Sequence, residues 1–164
     1  MSDTTITGSC LCGALRYEAR GEPQFAGYCF CRDCRKASGS GFIPFVSFSA
    51  DVLTFTGTTR QSVVRSFRGT DAVRNSCPQC GGLVFGGIVG KDTSHTIYGG
   101  SLDDPSVFKP SIAIFNRDRP AWAPLPPDVV HQKPDSGVGA VPAPFALTSA
   151  NARSFAGACV PFAA

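Results

Sequence analysis

Apolar and polar residues alternate along much of the chain, and helical periodicity is scarce. Residues 14–20, ALRYEAR, place Leu15, Tyr17 and Ala19 on one face of a strand. Residues 42–48, FIPFVSF, are apolar on both faces, as in a strand covered on two sides. Pro44 marks that strand as an edge or a bulge. Further strands are predicted at 52–57, 62–67, 83–90, 95–100 and 111–116. Helix is expected only at 32–38, RDCRKAS, and as a turn at 103–107. The pattern predicts a mainly β fold with little helix.

The rhythm stops near Ala121. The stretch PAWAPLPP at 120–127 permits nothing more regular than an extended turn. From Lys133 to Ala164, Gly, Ala, Ser and Pro dominate. The expected organisation is one domain over 6–132 and a tail over 133–164 without a core of its own. Phe145, Phe155 and Phe162 are the tail residues able to dock on the domain.

Composition supports this outline. A length of 164 residues suits one domain with a real core, and 43% hydrophobic residues exclude a disordered chain. The 18 glycines and 13 prolines fit many short strands joined by turns. The N-terminal MSDTTITGSC has neither a basic region nor an apolar run, so no secretory signal is expected. No stretch approaches a membrane span. The expected location is the cytoplasm, a reducing compartment where eight cysteines serve metal or redox chemistry rather than disulfides.

The cysteines are clustered. The order is Cys10-x-Cys12, Cys29-x-Cys31-x-x-Cys34 and Cys77-x-x-Cys80, with Cys159 alone in the tail. Residues i and i+2 of a strand face one way, so Cys10 with Cys12, and Cys29 with Cys31, can each grip one ion. Cys77-Pro78-Gln79-Cys80-Gly81-Gly82 reads as a zinc knuckle: Pro78 presets a turn and Gly81 permits a left-handed backbone. Seven thiolates divide as four plus three, and two Zn²⁺ ions are expected. One partition joins Cys10 and Cys12 to Cys77 and Cys80 and leaves Cys29, Cys31 and Cys34. Another joins Cys31 and Cys34 to Cys77 and Cys80 and leaves Cys10, Cys12 and Cys29. The first keeps each local cluster intact and is preferred. A three-thiolate zinc has a fourth position for water or substrate and suits activation of a thiol, unless Cys159 fills that position. Four thiolates outweigh one Zn²⁺ by two negative charges and three by one. The net charge of +3 is thereby largely cancelled, and a nucleic-acid partner loses its electrostatic support.

These residues resemble the glutathione-dependent formaldehyde-activating enzyme family, which also includes centromere protein V. The resemblance is carried by Gly8-Ser9-Cys10-Leu11-Cys12-Gly13-Ala14, by Cys29 to Gly39, by Cys77 to Gly82 and by Gly100-Ser101-Leu102-Asp103-Asp104-Pro105. Trp122 falls where such proteins often carry a tryptophan. The resemblance implies a β-tent of antiparallel sheets pinned by zinc. It assigns Cys10, Cys12, Cys77 and Cys80 to a structural zinc and Cys29, Cys31 and Cys34 to an open, catalytic zinc. The implied activity is addition of glutathione to formaldehyde, giving S-(hydroxymethyl)glutathione, a carbon–sulfur lyase chemistry. Two positions depart from the family pattern. Asn75-Ser76 stands where an aromatic residue often precedes the CxxC, and Ala113 stands where a histidine is common.

Other residues complete the reading. Arg35 and Lys36, with Arg32, flank the open site and are candidates to attract an anionic thiol such as glutathione. Asp33 is expected to cap a helix rather than to orient a zinc ligand, and the Asp103-Asp104-Pro105 turn is expected to be a capping device. His95 and His131 read as packing or surface residues, and Phe42, Phe45, Phe48 and Phe67 as core. The alternative to an enzyme is a non-enzymatic zinc module that binds a protein partner.

Overall fold

The computed structural model describes residues 4–132, and for 130–132 the backbone only. The expected tail at 133–164, with Phe145, Phe155, Phe162 and Cys159, lies outside the described residues. Strands in chain order are β1 (Thr5–Ser9), β2 (Arg16–Arg20), β3 (Phe25–Cys29), β4 (Ile43–Ser49), β5 (Leu53–Thr56) and β6 (Arg60–Arg65). They continue with β7 (Asp71–Ser76), β8 (Leu83–Gly86), β9 (Ser94–Tyr98), β10 (Ile112–Ile114) and β11 (Val130–Gln132). The α-helix among the described residues is α1 (Arg32–Ser38), which matches the expected 32–38. The expected turn at 103–107 is a short 3-10 turn over Pro105–Val107, capped by Asp104, whose carboxylate accepts from Ser106 N–H at 2.9 Å.

Two sheets form. The smaller runs β1-β2-β5, all antiparallel. The larger runs β11-β10-β3-β4-β9-β8-β7-β6. It is antiparallel from β3 to β6, but β10 runs parallel to both β3 and β11. The expected mainly β fold is observed, with this mixed edge added to the antiparallel plan.

Alternation along the central strands gives the large sheet two different faces. On β4, Val46 and Phe48 point into the main core, while Ile43 and Phe45 line a cavity. On β9, Ile97 enters the core, while Ser94, Thr96 and Tyr98 face the cavity. The core face packs on the small sheet through Ile6, Leu15, Tyr17 and Ala19. Phe55 of β5 stacks on Phe85 of β8 with centroids 4.0 Å apart. Such an aromatic pair adds about 1 kcal/mol beyond its buried area. His95 belongs to this packing: it is buried, lies edge-on to Phe55 and Phe85, and its Nδ1 is 3.3 Å from Gly86 O.

Two expectations need correction. Pro44 lies neither on an edge strand nor at a bulge, because β4 pairs with both β3 and β9. It is tolerated because the β9 ladder ends at the Phe45–Tyr98 pair, one residue short of it, so its missing N–H leaves no gap there. Asp33 does not cap α1. The N-cap is Cys31, whose sulfur accepts from Cys34 N–H at 3.3 Å. The Asp33 carboxylate instead accepts Phe67 N–H at 2.9 Å, tying α1 to the turn between β6 and β7.

Candidate metal centres

The four-sulfur group lies where two turns meet. Residues 10–13 connect β1 to β2 in the small sheet, and residues 77–82 connect β7 to β8 in the large one. Each turn closes on itself: Gly13 N–H donates to Cys10 O at 3.0 Å and Gly81 N–H to Cys77 O at 2.9 Å. Gly81 has φ of +71°, a left-handed backbone that a side chain would strain. Gly82 is tightly enclosed, since a Cβ there would lie 3.3 Å from Cys80 Sγ and from Leu11 N. The turns bring the sulfurs of Cys10, Cys12, Cys77 and Cys80 within 4.8 Å of one another. Cys10 Sγ is 3.6 Å from Cys12 Sγ, which is 3.7 Å from Cys77 Sγ. A tetrahedral zinc with Zn–S of about 2.3 Å has S···S edges of about 3.8 Å. The donor set and its spacing therefore fit a thiolate-bound ion. Backbone N–H groups also point at the sulfurs, from Leu15 to Cys10 at 3.3 Å and from Gln79 to Cys77 at 3.4 Å.

The three-sulfur group is local. Cys29 ends β3, Cys31 caps α1 and Cys34 lies in the first turn of that helix. Their sulfurs also lie within 4.8 Å of one another, with no fourth Cys, His, Asp or Glu among the described residues. Neither Cys-x-Cys lies within a strand: Cys10 and Cys12 sit in a turn beyond β1, and Cys31 is already at the helix. The intervening Leu11 is 91% exposed, so the two sulfurs converge because the turn tips Leu11 outward, not because a pleat alternates.

Electrostatics shows that the three thiols do not share charge evenly. Hydrogen bonds from the Cys29 and Cys34 side chains hold the Cys31 thiol down at about 2. The same contacts, with burial, push the Cys29 thiol far above the usual thiol range. The group therefore holds one negative charge readily and resists a second. Three thiolates need a cation, which is the charge state a metal supplies.

This group opens into a cavity of about 780 Å³ on the second face of the large sheet. Phe45, Phe67 and Phe115 line it, with Phe67 edge-on to Phe115 at 5.4 Å. Phe115 holds φ of +57°, a left-handed conformation costing a non-glycine residue about 1–2 kcal/mol. Packing against Cys29, Cys31 and Phe45 holds it there. Arg68 and Lys91 lie exposed on the cavity lining, Arg68 over the Phe115 ring at 5.7 Å, and Arg74 lies buried within. Arg35 and Lys36 are not among the lining residues; Arg35 Nε donates to Phe30 O at 3.1 Å, and Lys36 is exposed. The aromatic set expected in the core divides: Phe48 is in the main core, Phe42 packs against Phe30 and Tyr28, and Phe45 and Phe67 wall the cavity.

The family pattern described as glutathione-dependent formaldehyde-activating enzyme matches residues 5–118. The chain belongs to that family. No curated protein matches it significantly. A crystal structure of a Rhodobacter sphaeroides protein aligns with a TM-score of 0.45 and 20% identity, over 61% of this chain and 92% of that one.

Of the departures of this formaldehyde-activating family member, Asn75 and Ala113 are buried and Ser76 is half-buried, its hydroxyl donating to Arg60 O at 3.3 Å. Asn75 accepts from Gln61 Nε2 at 3.3 Å, and its Nδ2 donates to Gly87 O at 2.8 Å. It is a polar bracket across β6, β7 and the turn after β8. Ala113 is buried beside Phe30 and Ala123, away from the residues that line the cavity. The side chain of His131 lies outside the described residues. Sequence reasoning missed Arg74, Tyr98 and Phe115 as wall residues. A charged residue at an inward position of β7 is the one signal that marks Arg74. Trp122 is exposed, with its ring against Gly41.

Proposed function

We propose that this protein is a zinc-dependent carbon–sulfur lyase acting on a thiol adduct, with glutathione plus formaldehyde as the model pair and two Zn²⁺ as cofactors. The observation that carries this reading is the contrast in surroundings. The three-sulfur group faces a cavity within the roughly 300–1,000 Å³ range of small-molecule sites, while the four-sulfur group joins two turns. Cys29, Cys31 and Cys34 would hold the catalytic zinc, and Cys10, Cys12, Cys77 and Cys80 the structural one. When bound, the catalytic ion would supply a site where a substrate thiol is held as thiolate.

In the forward direction the thiolate sulfur bonds to the aldehyde carbon. The C=O π pair moves to oxygen, which takes a proton to give the hydroxymethyl thioether. In reverse the hydroxyl loses its proton and the C–S bond breaks. Phe45, Phe67 and Phe115 give that space an apolar wall, and the exposed Arg68 and Lys91 on its lining draw in a carboxylate-bearing thiol. Arg35 and Lys36 are proposed to act at longer range, as positive charge beside the helix. The free thiols of the described cysteines suit a reducing compartment, and the cytoplasm is the proposed location. No helix among the described residues is long and apolar enough to cross a membrane.

Cobalt-substituted protein titrated with glutathione tests the reading. A shift of the thiolate–cobalt absorption, together with turnover of glutathione and formaldehyde, is expected. An unshifted spectrum and no turnover would leave the alternative, a non-enzymatic zinc module. That alternative has its own observation: β6 is an edge strand with Val63 and Val64 exposed, a surface a protein partner could pair with.

A further inference from the structure

Arg74 is the one Arg, Lys, Asp or Glu that is buried among the described residues, at 9% exposure. It sits on β7 opposite Gly86 and lines the same cavity as Cys29, Cys31 and Cys34. A buried guanidinium is costly unless an anion faces it. No carboxylate among the described residues lies within ion-pair distance of it. The two acidic residues on the cavity lining are already committed to backbone donors, Asp33 to Phe67 N–H and Asp92 to Ile88 N–H. Tyr98, a neutral phenol, lines the same cavity and supplies no counter-charge. What remains on the anionic side of Arg74 is the sulfur group, which lines the same cavity.

We propose that Arg74 is a substrate-positioning residue, the counter-charge that lets an incoming thiol join the three cysteine sulfurs as a thiolate. The inference rests on the reading that a small thiol is the ligand. Three thiolates exceed a divalent cation by one negative charge, and a fourth raises the excess to two. Beside the buried Cys29 and Cys31 that excess is screened less than it would be in bulk water. One buried guanidinium halves it. Arg68 and Lys91, being exposed, serve a different purpose: they meet whatever carboxylates the thiol carries.

The full-length zinc-loaded chain and its cobalt form are titrated with two probes, glutathione and the uncharged thiol mercaptoethanol. Arg74→Met is expected to weaken both by at least about 30-fold, with metal content and circular dichroism unchanged. Arg74→Lys restores most of the loss, and Arg68→Met weakens glutathione alone. If Arg74→Met fails to fold, Arg74→Gln, which keeps polarity without charge, carries the same expectation. The proposal is overturned if the Arg74 variants weaken glutathione but not mercaptoethanol, since Arg74 would then read a carboxylate. It is equally overturned if neither thiol is affected, or if metal is lost while the fold remains. Wild-type protein that binds neither thiol sinks the proposed function itself, a result distinct from all of these.

Discussion

The two sulfur groups present the same donor chemistry, and they differ in what chain they join. The four-sulfur group ties residues 10–12 to residues 77–80, a turn of the small sheet to a turn of the large one. An ion there closes a long loop and fixes two sheets, so its binding energy becomes folding energy. The three-sulfur group gathers residues 29–34, which β3 and α1 already hold together. An ion there closes almost nothing. Its binding energy is free for a ligand, and the cavity stands beside it. On the proposed function, sequence span and open space, rather than sulfur count, assign one group to structure and the other to chemistry.

The largest test of this contrast removes one sulfur from each group. Cys77→Ser is expected to cost several kcal/mol, up to the order of 10, enough to unfold the domain. Cys31→Ser should keep a cooperative thermal transition within a few degrees of wild type while thiol binding disappears. Equal loss of fold in both variants, read by circular dichroism, would end the distinction. A chelator titration sharpens it: unfolding should follow loss of one metal ion, the one bound by Cys10, Cys12, Cys77 and Cys80.

Smaller changes probe each group in place. Gly81→Ala forces a side chain onto φ of +71° and should cost about 1–2 kcal/mol without altering thiol binding. Asp33→Ala removes the acceptor of Phe67 N–H and should cost about 1 kcal/mol. Its distinctive result is faster amide exchange at Phe67, with the 77–82 turn unchanged; protection retained at Phe67 would show that the tether does not hold the cavity wall.

One effect appears only in alkali. Tyr17, in the core between the sheets, is pushed to about 12, chiefly by burial and partly offset by the Ser101 hydroxyl. Its folded-state pKa is raised, so its contribution is fully present below the ordinary phenol value of 10.0 and is lost as pH rises through about 12. Phenolate absorbance should therefore appear together with separation of the sheets. A Tyr17 phenol that titrates at its ordinary value in a folded protein would contradict this packing.

Much of this was legible in the sequence because it is local. Period-two alternation marks β2, an apolar run on both faces marks β4, and the knuckle residues Pro78, Gly81 and Gly82 announce their turn. The strands that were missed explain themselves: β1 (TITGS) and β7 (DAVRNS) are too polar to stand out, β3 (FAGYC) merges with its cysteine cluster, and β11 (VHQ) is three residues long after a proline-rich stretch. The sequence by itself determined that seven thiols would cluster and that the fold would be mainly β. Spacing left two ways of grouping those thiols, and only the tertiary structure selects between them, because which turns meet depends on how two sheets pack. The tertiary structure also decided that the second face of the large sheet is hollow, and that Arg74 from β7, Tyr98 from β9 and Phe115 after β10 converge there. Residues so distant along the chain share a wall only through strand order, and no local pattern encodes that order.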